Sequence, residues 1–330
     1  MGIRFPTGLR FSMIALATAL AFAAPARAQD AAKYPDHPVT FVVGFAAGGA
    51  VDIVARSIGA KLQTLIGEPV VIENRPGANS NVAAIYVAHA KADGYTLLVG
   101  ANGMTANMAL YPNPGFDVEK DFTPVASLGE APPVLASGKG FSGADLRDLV
   151  AQAKAHPGEM AYGSPGAGSS AHLTMELFQR VAGIKLVHVP YRGGAPAISD
   201  AVGGHIPLLA VNLPEVLGQV ASGDLKILGV PSLQRHPLLP NAPTVAEQGF
   251  PGFEASTWWA LFAPAGTPKA IVDKLNATVN QALGDDEFRA RLLQAGGVAK
   301  TSTPEEMAKF IVAERAKWTK IILEAGIKAE

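Results

Sequence analysis

The sequence contains no cysteine, which removes disulfides, thiolate nucleophiles and cysteine-ligated metals from consideration together. Charge is sparse as well. Asp, Glu, Lys and Arg make up 17% of the chain and nearly cancel, at a formal net charge of −1, with no long Lys/Arg run. That balance offers no electrostatic footprint for nucleic acid. The histidines, His37, His89, His156, His172, His188, His205 and His236, are scattered without metal-ligand spacing, so neither a metal nor another cofactor is expected. No hydrophobic run reaches the roughly 20 residues of a membrane-spanning helix. The apolar run nearest the N-terminus, Phe11 to Ala24, holds 14.

What stands around that run has a recognisable layout. Arg4 and Arg10 precede it, and Pro25 and the small-residue triplet Ala26-Arg27-Ala28 follow it. Basic, apolar and small-residue segments in that order form a cleavable secretory signal. Residues 1–28 are therefore expected to be removed after Ala28, which takes the formal net charge from −1 to −4 and leaves a soluble exported protein. The remaining chain, 48% hydrophobic by its overall composition, is long enough for two lobes.

Along that chain, short Val/Ile/Leu runs alternate with helical patterns, the order of an α/β fold. Val39 to Val43 reads as a strand, Gly44 to Gly49 as a flexible turn, and Val51, Val54, Ile58, Leu62 and Leu65 as the buried stripe of a helix that Gly67 ends. A strand over Val70 to Ile72, a helix over Val82 to Ala90 and a strand over Tyr95 to Val99 complete βαβαβ. The grammar restarts after residue 130 with a helix over Leu146 to Ala155, a strand over Met160 to Tyr162 and a Gly/Ser turn over Gly163 to Ser170. The next helix places Leu173, Leu177 and Val181 on one face, and Leu186 to Val189 follows as a strand. Trp258 to Phe262 reads as a late strand, Thr267-Pro268 as a helix start with proline at the first helical position, and Thr303-Pro304-Glu305-Glu306 as the capping box of a terminal helix. That helix would bury Met307, Phe310, Ile311, Trp318 and Ile322.

The two glycine-rich strand-to-helix turns are the informative places. Ligands of open α/β sheets bind beyond the C-terminal strand ends, where helix N-termini offer free N–H groups and partial positive charge. The first turn lacks the Lys-Ser/Thr of a phosphate loop, since Ala50-Val51 stands there. The second, Gly166-Ala167-Gly168-Ser169-Ser170-Ala171, fits a dinucleotide fingerprint, but the strand after it ends in Pro190-Tyr191-Arg192 with no ribose-binding acid. A hydrolase built on Ser164 or Ser170 with His172 lacks the Gly-x-Ser-x-Gly elbow, so no catalytic residue is assigned. The serines can equally cap their helix, Asp52 can hold its loop as well as meet a ligand, and Arg75 and Arg192 follow strands that could face a cleft.

Read together and in order, several blocks carry a family resemblance over nearly the whole mature chain: Phe45-Ala46-Ala47-Gly48-Gly49 with Asp52, Glu73-Asn74-Arg75-Pro76-Gly77, Asp93-Gly94-Tyr95-Thr96-Leu97-Leu98, Tyr162-Gly163-Ser164, His172-Leu173, Val189-Pro190-Tyr191-Arg192-Gly193, Pro243-Thr244-Val245-Ala246-Glu247 and Ala263-Pro264-Ala265-Gly266-Thr267-Pro268. The chain resembles the extracytoplasmic receptors of tripartite tricarboxylate transporters, the Bug receptors. The resemblance implies a two-lobed periplasmic binding protein of the Venus-flytrap type, each lobe a mainly parallel sheet flanked by helices. Lobe 1 would comprise residues 29–128 and 255–330, and lobe 2 residues 129–254. It implies a monomer that captures a small organic acid and hands it to a large and a small integral-membrane transporter subunit, or to a sensor protein in orphan relatives. Carried onto this chain, the ligand contacts are Phe45, Ala46, Ala47 and Gly48 from one lobe and Ser164, Gly166 and Ser169 from the other, with Asn102, His172 and Asn212 added by position. Gly44, Ala50-Val51 and Asn79-Ser80-Asn81 depart from the family pattern and leave the identity of the acid open.

Overall fold

The computed structural model describes residues 1–2 and 33–328. Residues 3–28 of the expected secretory signal and its expected cleavage point after Ala28 lie outside the described residues. In chain order the elements are β1 (Val39–Val43), α1 (Ala50–Ile66), β2 (Val70–Asn74), α2 (Asn81–Ala88), β3 (Thr96–Ala101), α3 (Gly103–Leu110), β4 (Phe122–Ala131), β5 (Pro133–Ser137), α4 (Leu146–Ala155), β6 (Ala161–Ser164), α5 (Ser170–Ala182), β7 (Val187–Pro190), α6 (Gly194–Gly203), β8 (Leu208–Asn212), α7 (Leu213–Ser222), β9 (Lys226–Gly229), β10 (Thr257–Pro264), α8 (Lys269–Gly284), α9 (Asp286–Gln294) and α10 (Pro304–Ala325). None of the described helices is long and apolar enough to cross a membrane.

Two five-stranded sheets result, ordered β2-β1-β3-β10-β4 and β7-β6-β8-β5-β9. In the first, successive side chains point to opposite faces, and both faces are covered. Val39, Phe41 and Val43 pack with Val54, Ile58 and Leu62 of α1 and with Ile271, Leu275 and Val279 of α8. Val42 between them turns to Ala83 and Val87 of α2 and to Met307 and Ile311 of α10. β10 repeats the alternation, with Trp259 and Leu261 on one side and Trp258, Ala260 and Phe262 on the other. The second sheet is sandwiched likewise, α4 and α5 on one face and α6 and α7 on the other.

Each sheet is mixed, a feature that the strand-helix alternation does not signal. β1 pairs parallel with β2 and β3, whereas β10 runs antiparallel to β3 and β4. In the second sheet β6 pairs parallel with β7 and β8, and β5 runs antiparallel to β8 and β9. The first sheet continues to the end of β4, where Ala131 still pairs with Thr257, and the chain passes to the second sheet at Pro132. That passage lies beyond residue 128, the end of lobe 1 in the sequence division.

Several local expectations shift. Gly163 and Ser164 extend β6 and are not part of the turn. Val181 is exposed, because α5 buries Ala171, Met175, Phe178 and Ala182 against its sheet. Leu173 instead packs with Ala106 and Leu110 of α3 and with Trp318 and Ile322 of α10. Pro268 is the N-cap of α8, one residue before its first helical position. The capping box of α10 forms as read, with Thr303 Oγ1 accepting from the Glu306 N–H at 3.1 Å and Glu306 accepting from the Thr303 N–H at 2.9 Å.

Candidate functional site

The loops after β1, β3, β6 and β8 meet between the two sheets. The first turn starts at Gly44, where a Cβ would lie 1.9 Å from Ser80 Oγ, so only glycine lets the loop pass. Asp52, buried in the first turn of α1, organises this loop: its carboxylate accepts from the Gly48 N–H, Arg56 Nε and Asn74 Nδ2, each at 2.9 Å. Asn74 also donates to Phe45 O at 3.0 Å. Burial alone would raise the Asp52 carboxyl, but the hydrogen bonds from Arg56, Gly48 and Asn74 outweigh it and hold the group below the ordinary carboxylate range. Phe45 and Ala46 are half-buried, and Ala47 and Gly48 are exposed and border neither cavity described below. From the opposite unit Gly193 comes close to Ala46, such that a Cβ would lie 3.2 Å from the Ala46 Cβ.

One more carboxylate reaches the same helix end, and the sequence gives it no motif beyond a local cap. The Ala50 N–H donates to Glu215 Oε1 at 2.7 Å, across the gap between the two units. Glu215 also accepts from the Asn212 N–H at 3.1 Å, closing the capping box of α7. Burial raises its carboxyl to about 7 against the pull of those two N–H groups.

The second turn is braced from behind. Ser164 is fully buried, its hydroxyl 2.6 Å from His188 Nε2 and accepting the Gly166 N–H at 3.1 Å. Ser169 caps α5 by accepting the His172 N–H at 3.3 Å. His172 Nδ1 accepts the Gly168 N–H at 2.9 Å, and its ring stacks on His188 at 4.0 Å. Burial, joined by repulsion from His188, pushes His172 down to about 3, and burial pushes His188 down to about 4. A serine with His172 as base is therefore not the arrangement formed. Ser164 meets His188, and Ser170 Oγ lies 2.6 Å from Thr257 Oγ1.

At the floor, Asn102 Oδ1 accepts the Trp258 N–H at 3.0 Å and its amide donates to Ser256 O at 3.2 Å. Asn212 Oδ1 accepts from Ser170 at 3.4 Å and from Thr257. These polar groups border an inner cavity of about 20 Å³, together with Glu215 and Ser169, a volume that holds about one water. Phe45, Asn79 and Pro165 also border an outer cavity of about 190 Å³, together with Gly166, Tyr191 and Arg192. Of the sequence-assigned contacts, Phe45, Asn102, Gly166, Ser169 and Asn212 border these cavities. Ser164 and His172 stand behind the second turn. Arg75 faces elsewhere, over the Tyr86 ring at 3.6 Å and paired with Glu73 at 2.7 Å. Arg192 is the cation bordering the cleft and Glu215 the acid.

A third segment joins the site. Ala78, Asn79 and Ser80 have φ of 45°, 49° and 76° in succession, a left-handed run that non-glycine residues rarely sustain. Asn107 holds it, accepting from Asn79 Nδ2 at 2.8 Å and donating to Asn79 O at 2.9 Å. Asn79 Oδ1 and Ser80 Oγ are buried without a partner. The Asn79-Ser80-Asn81 departure was the only sequence signal for this segment.

The family described as "Tripartite tricarboxylate transporter family receptor" matches residues 54–327. The chain belongs to this receptor family. Protein BugT of Bordetella pertussis (strain Tohama I) is 37% identical over 317 residues, 96% of each chain. A UPF0065 protein in the tcbD-tcbE intergenic region of Pseudomonas sp. (strain P51) is 37% identical over 304 residues, 92% of this chain and 90% of that one. Among solved structures, R. palustris Rpa4515 with adipate superposes with a TM-score of 0.87 at 38% identity, over 90% of this chain and 100% of that one. MatC from Rhodopseudomonas palustris with bound malate gives 0.82 at 35%, over 88% and 100%. The periplasmic binding protein BugD gives 0.85 at 33%, over 90% and 100%. The two-sheet architecture is thus a periplasmic binding protein fold, and this tripartite-transporter receptor belongs to a family of solute-binding proteins, not of enzymes.

Proposed function

We propose that this receptor captures a small carboxylate-bearing ligand between its two lobes in the periplasm and delivers it, as a monomer, to a large and a small membrane subunit of a tripartite transporter. The lobes would be residues 29–128 with 255–330, and 129–254, with the lobe 1 limit moved to Pro132 on the strand pairing. One observation carries the reading: the β1–α1 turn and the β6–α5 turn, on separate sheets, border one continuous cleft at Phe45 and Gly166. At the β6–α5 turn the start of α5 adds N–H groups without intrahelical partners, which replace water around a carboxylate. Adipate and malate in the related structures support an organic acid as the class. Ligand contacts would come from Phe45, Ala46, Ala47, Gly48, Asn102, Gly166, Ser169 and Asn212, with Ser164 and His172 fixing the second turn. Closing requires no chemistry, only better contacts in the closed form than in the open one.

A thermal-shift screen of the mature protein against organic acids and their amides tests this. An acid at 100 times its Kd adds roughly 2.7 kcal/mol of stability, and the matched amide should add none. Equal shifts from acid and amide would refute carboxylate capture.

A further inference from the structure

The anion seat at the start of α1 is already filled by protein. Gly48 N–H is held by Asp52, Gly49 N–H by Ala46 O at 3.2 Å, and Ala50 N–H by Glu215. Glu215 is built in tightly: a Cβ on Gly194, the first residue of α6, would fall 2.2 Å from Glu215 Oε2. A carboxylate of lobe 2 thus sits among the N-termini of α1, α6 and its own α7, and its residue borders the inner cavity. Part of the residue reaches solvent, but the carboxylate itself is enclosed by protein.

Its two hydrogen bonds are both from backbone N–H groups, and no cation among the described residues pairs with it. The charged groups on the elements around it are engaged or turned outward. On α1, Asp52 and Arg56 pair with each other. On α6, Asp200 accepts from Tyr191 OH at 2.6 Å. Arg192, ahead of α6, is exposed and borders the outer cavity. An ionised ligand group brought to the inner end would therefore meet a like charge in a poorly solvated space, offset only by the partial charge of the helix ends.

We infer that Glu215 sets which ligands the cleft accepts: it admits, at the inner end, a group with a proton to donate, whether hydroxyl, ammonium, amide or un-ionised carboxyl, and rejects an ionised second carboxylate. This rests on the carboxylate-capture reading, which places the ligand's first carboxylate at the turns. A dicarboxylate then binds with uptake of one proton, shared between its inner carboxyl and Glu215, whereas a hydroxy acid binds without uptake. The raised Glu215 carboxyl, at about 7, puts that proton within the working range of pH.

The test is titration calorimetry on the mature protein with straight-chain dicarboxylates of four to seven carbons and the matching ω-hydroxy acids, for wild type and Glu215→Gln, from pH 6 to 8. At pH 8 the wild type should prefer the hydroxy acid by about tenfold or more, a difference of about 1.4 kcal/mol. Dicarboxylate affinity should fall by up to about tenfold per pH unit above 7, and hydroxy-acid affinity should hold steady. Glu215→Gln should bring the preference below about threefold and remove the pH dependence. The pH profile of the wild type stands alone if the variant does not fold. Equal, pH-independent binding of both classes by the wild type overturns the role of Glu215 and leaves carboxylate capture intact. Binding of neither class overturns this inference, while carboxylate capture is decided separately by the broader screen of acids and amides.

Discussion

His172 and His188 are neutral in the folded receptor, because burial holds them at about 3 and about 4, while an unfolded chain takes up their protons near 6.5. The unfolded state therefore binds more protons between those values. Their contribution is intact above 6.5 and is lost as pH falls toward 4, at up to about 1.4 kcal/mol per pH unit for each ring. Glu215 has the opposite sign: raised to about 7 from 4.5, it stabilises fully below 4.5, and this is lost as pH rises through 7. Urea midpoints from pH 4 to 8 should show a steep acid limb, and His172→Gln should flatten it. An unchanged acid limb in that variant would mean that His172 does not titrate on unfolding. Sequence reading located His172 at this turn but could not see its stacking on His188, since sixteen residues and a helix separate them. Glu215 was less visible still. Its capping box is local and readable in principle, but the bond to Ala50 spans 165 positions.

Among the elements, those with strong period and punctuation were legible. α1 ends where Gly67 predicts, in a left-handed cap at φ 77°, and α10 begins at the Thr303 box. Thr303→Ala should cost about 1 kcal/mol in chemical denaturation and leave ligand affinity unchanged; a change in affinity would tie α10 to closure. β4, β5, β8 and β9 were not foreseen individually, because strands buried on both faces lose the alternation that distinguishes them from buried helix segments. The 78–80 segment shows the other limit. Nothing in Ala78 announces φ 45°, a conformation held by Asn107 from α3. Relieving it with Ala78→Gly should raise stability by roughly 1 kcal/mol in the same denaturation assay; a lowered midpoint would mean that the φ of Ala78 carries no net strain.

For the molecule as a whole, the Venus-flytrap outline followed from the family resemblance, while the closeness of the two units did not. Gly193 against Ala46 marks how near they come. Gly193→Val, at φ 135° and with no room for a branched side chain, should prop the units apart and weaken ligand binding by about tenfold or more, with small-angle scattering reporting a larger radius of gyration under saturating acid. Unaltered affinity and radius would mean that this contact does not limit closure.

The strand β10 has a consequence for how the chain assembles. It pairs Ala260 with Gly100 on one side and with Ser127 on the other, so the strand that joins β3 to β4 is supplied from more than a hundred residues downstream. Until that segment arrives, the facing edges of β3 and β4 stay open, and Val99 and Leu128 lack Trp259 and Leu261 of their shared cluster. Such distant pairing is slow to form. The first sheet to be synthesised is thus the last to be finished, and the interval leaves an unfilled slot in a chain whose second sheet already has every strand it needs.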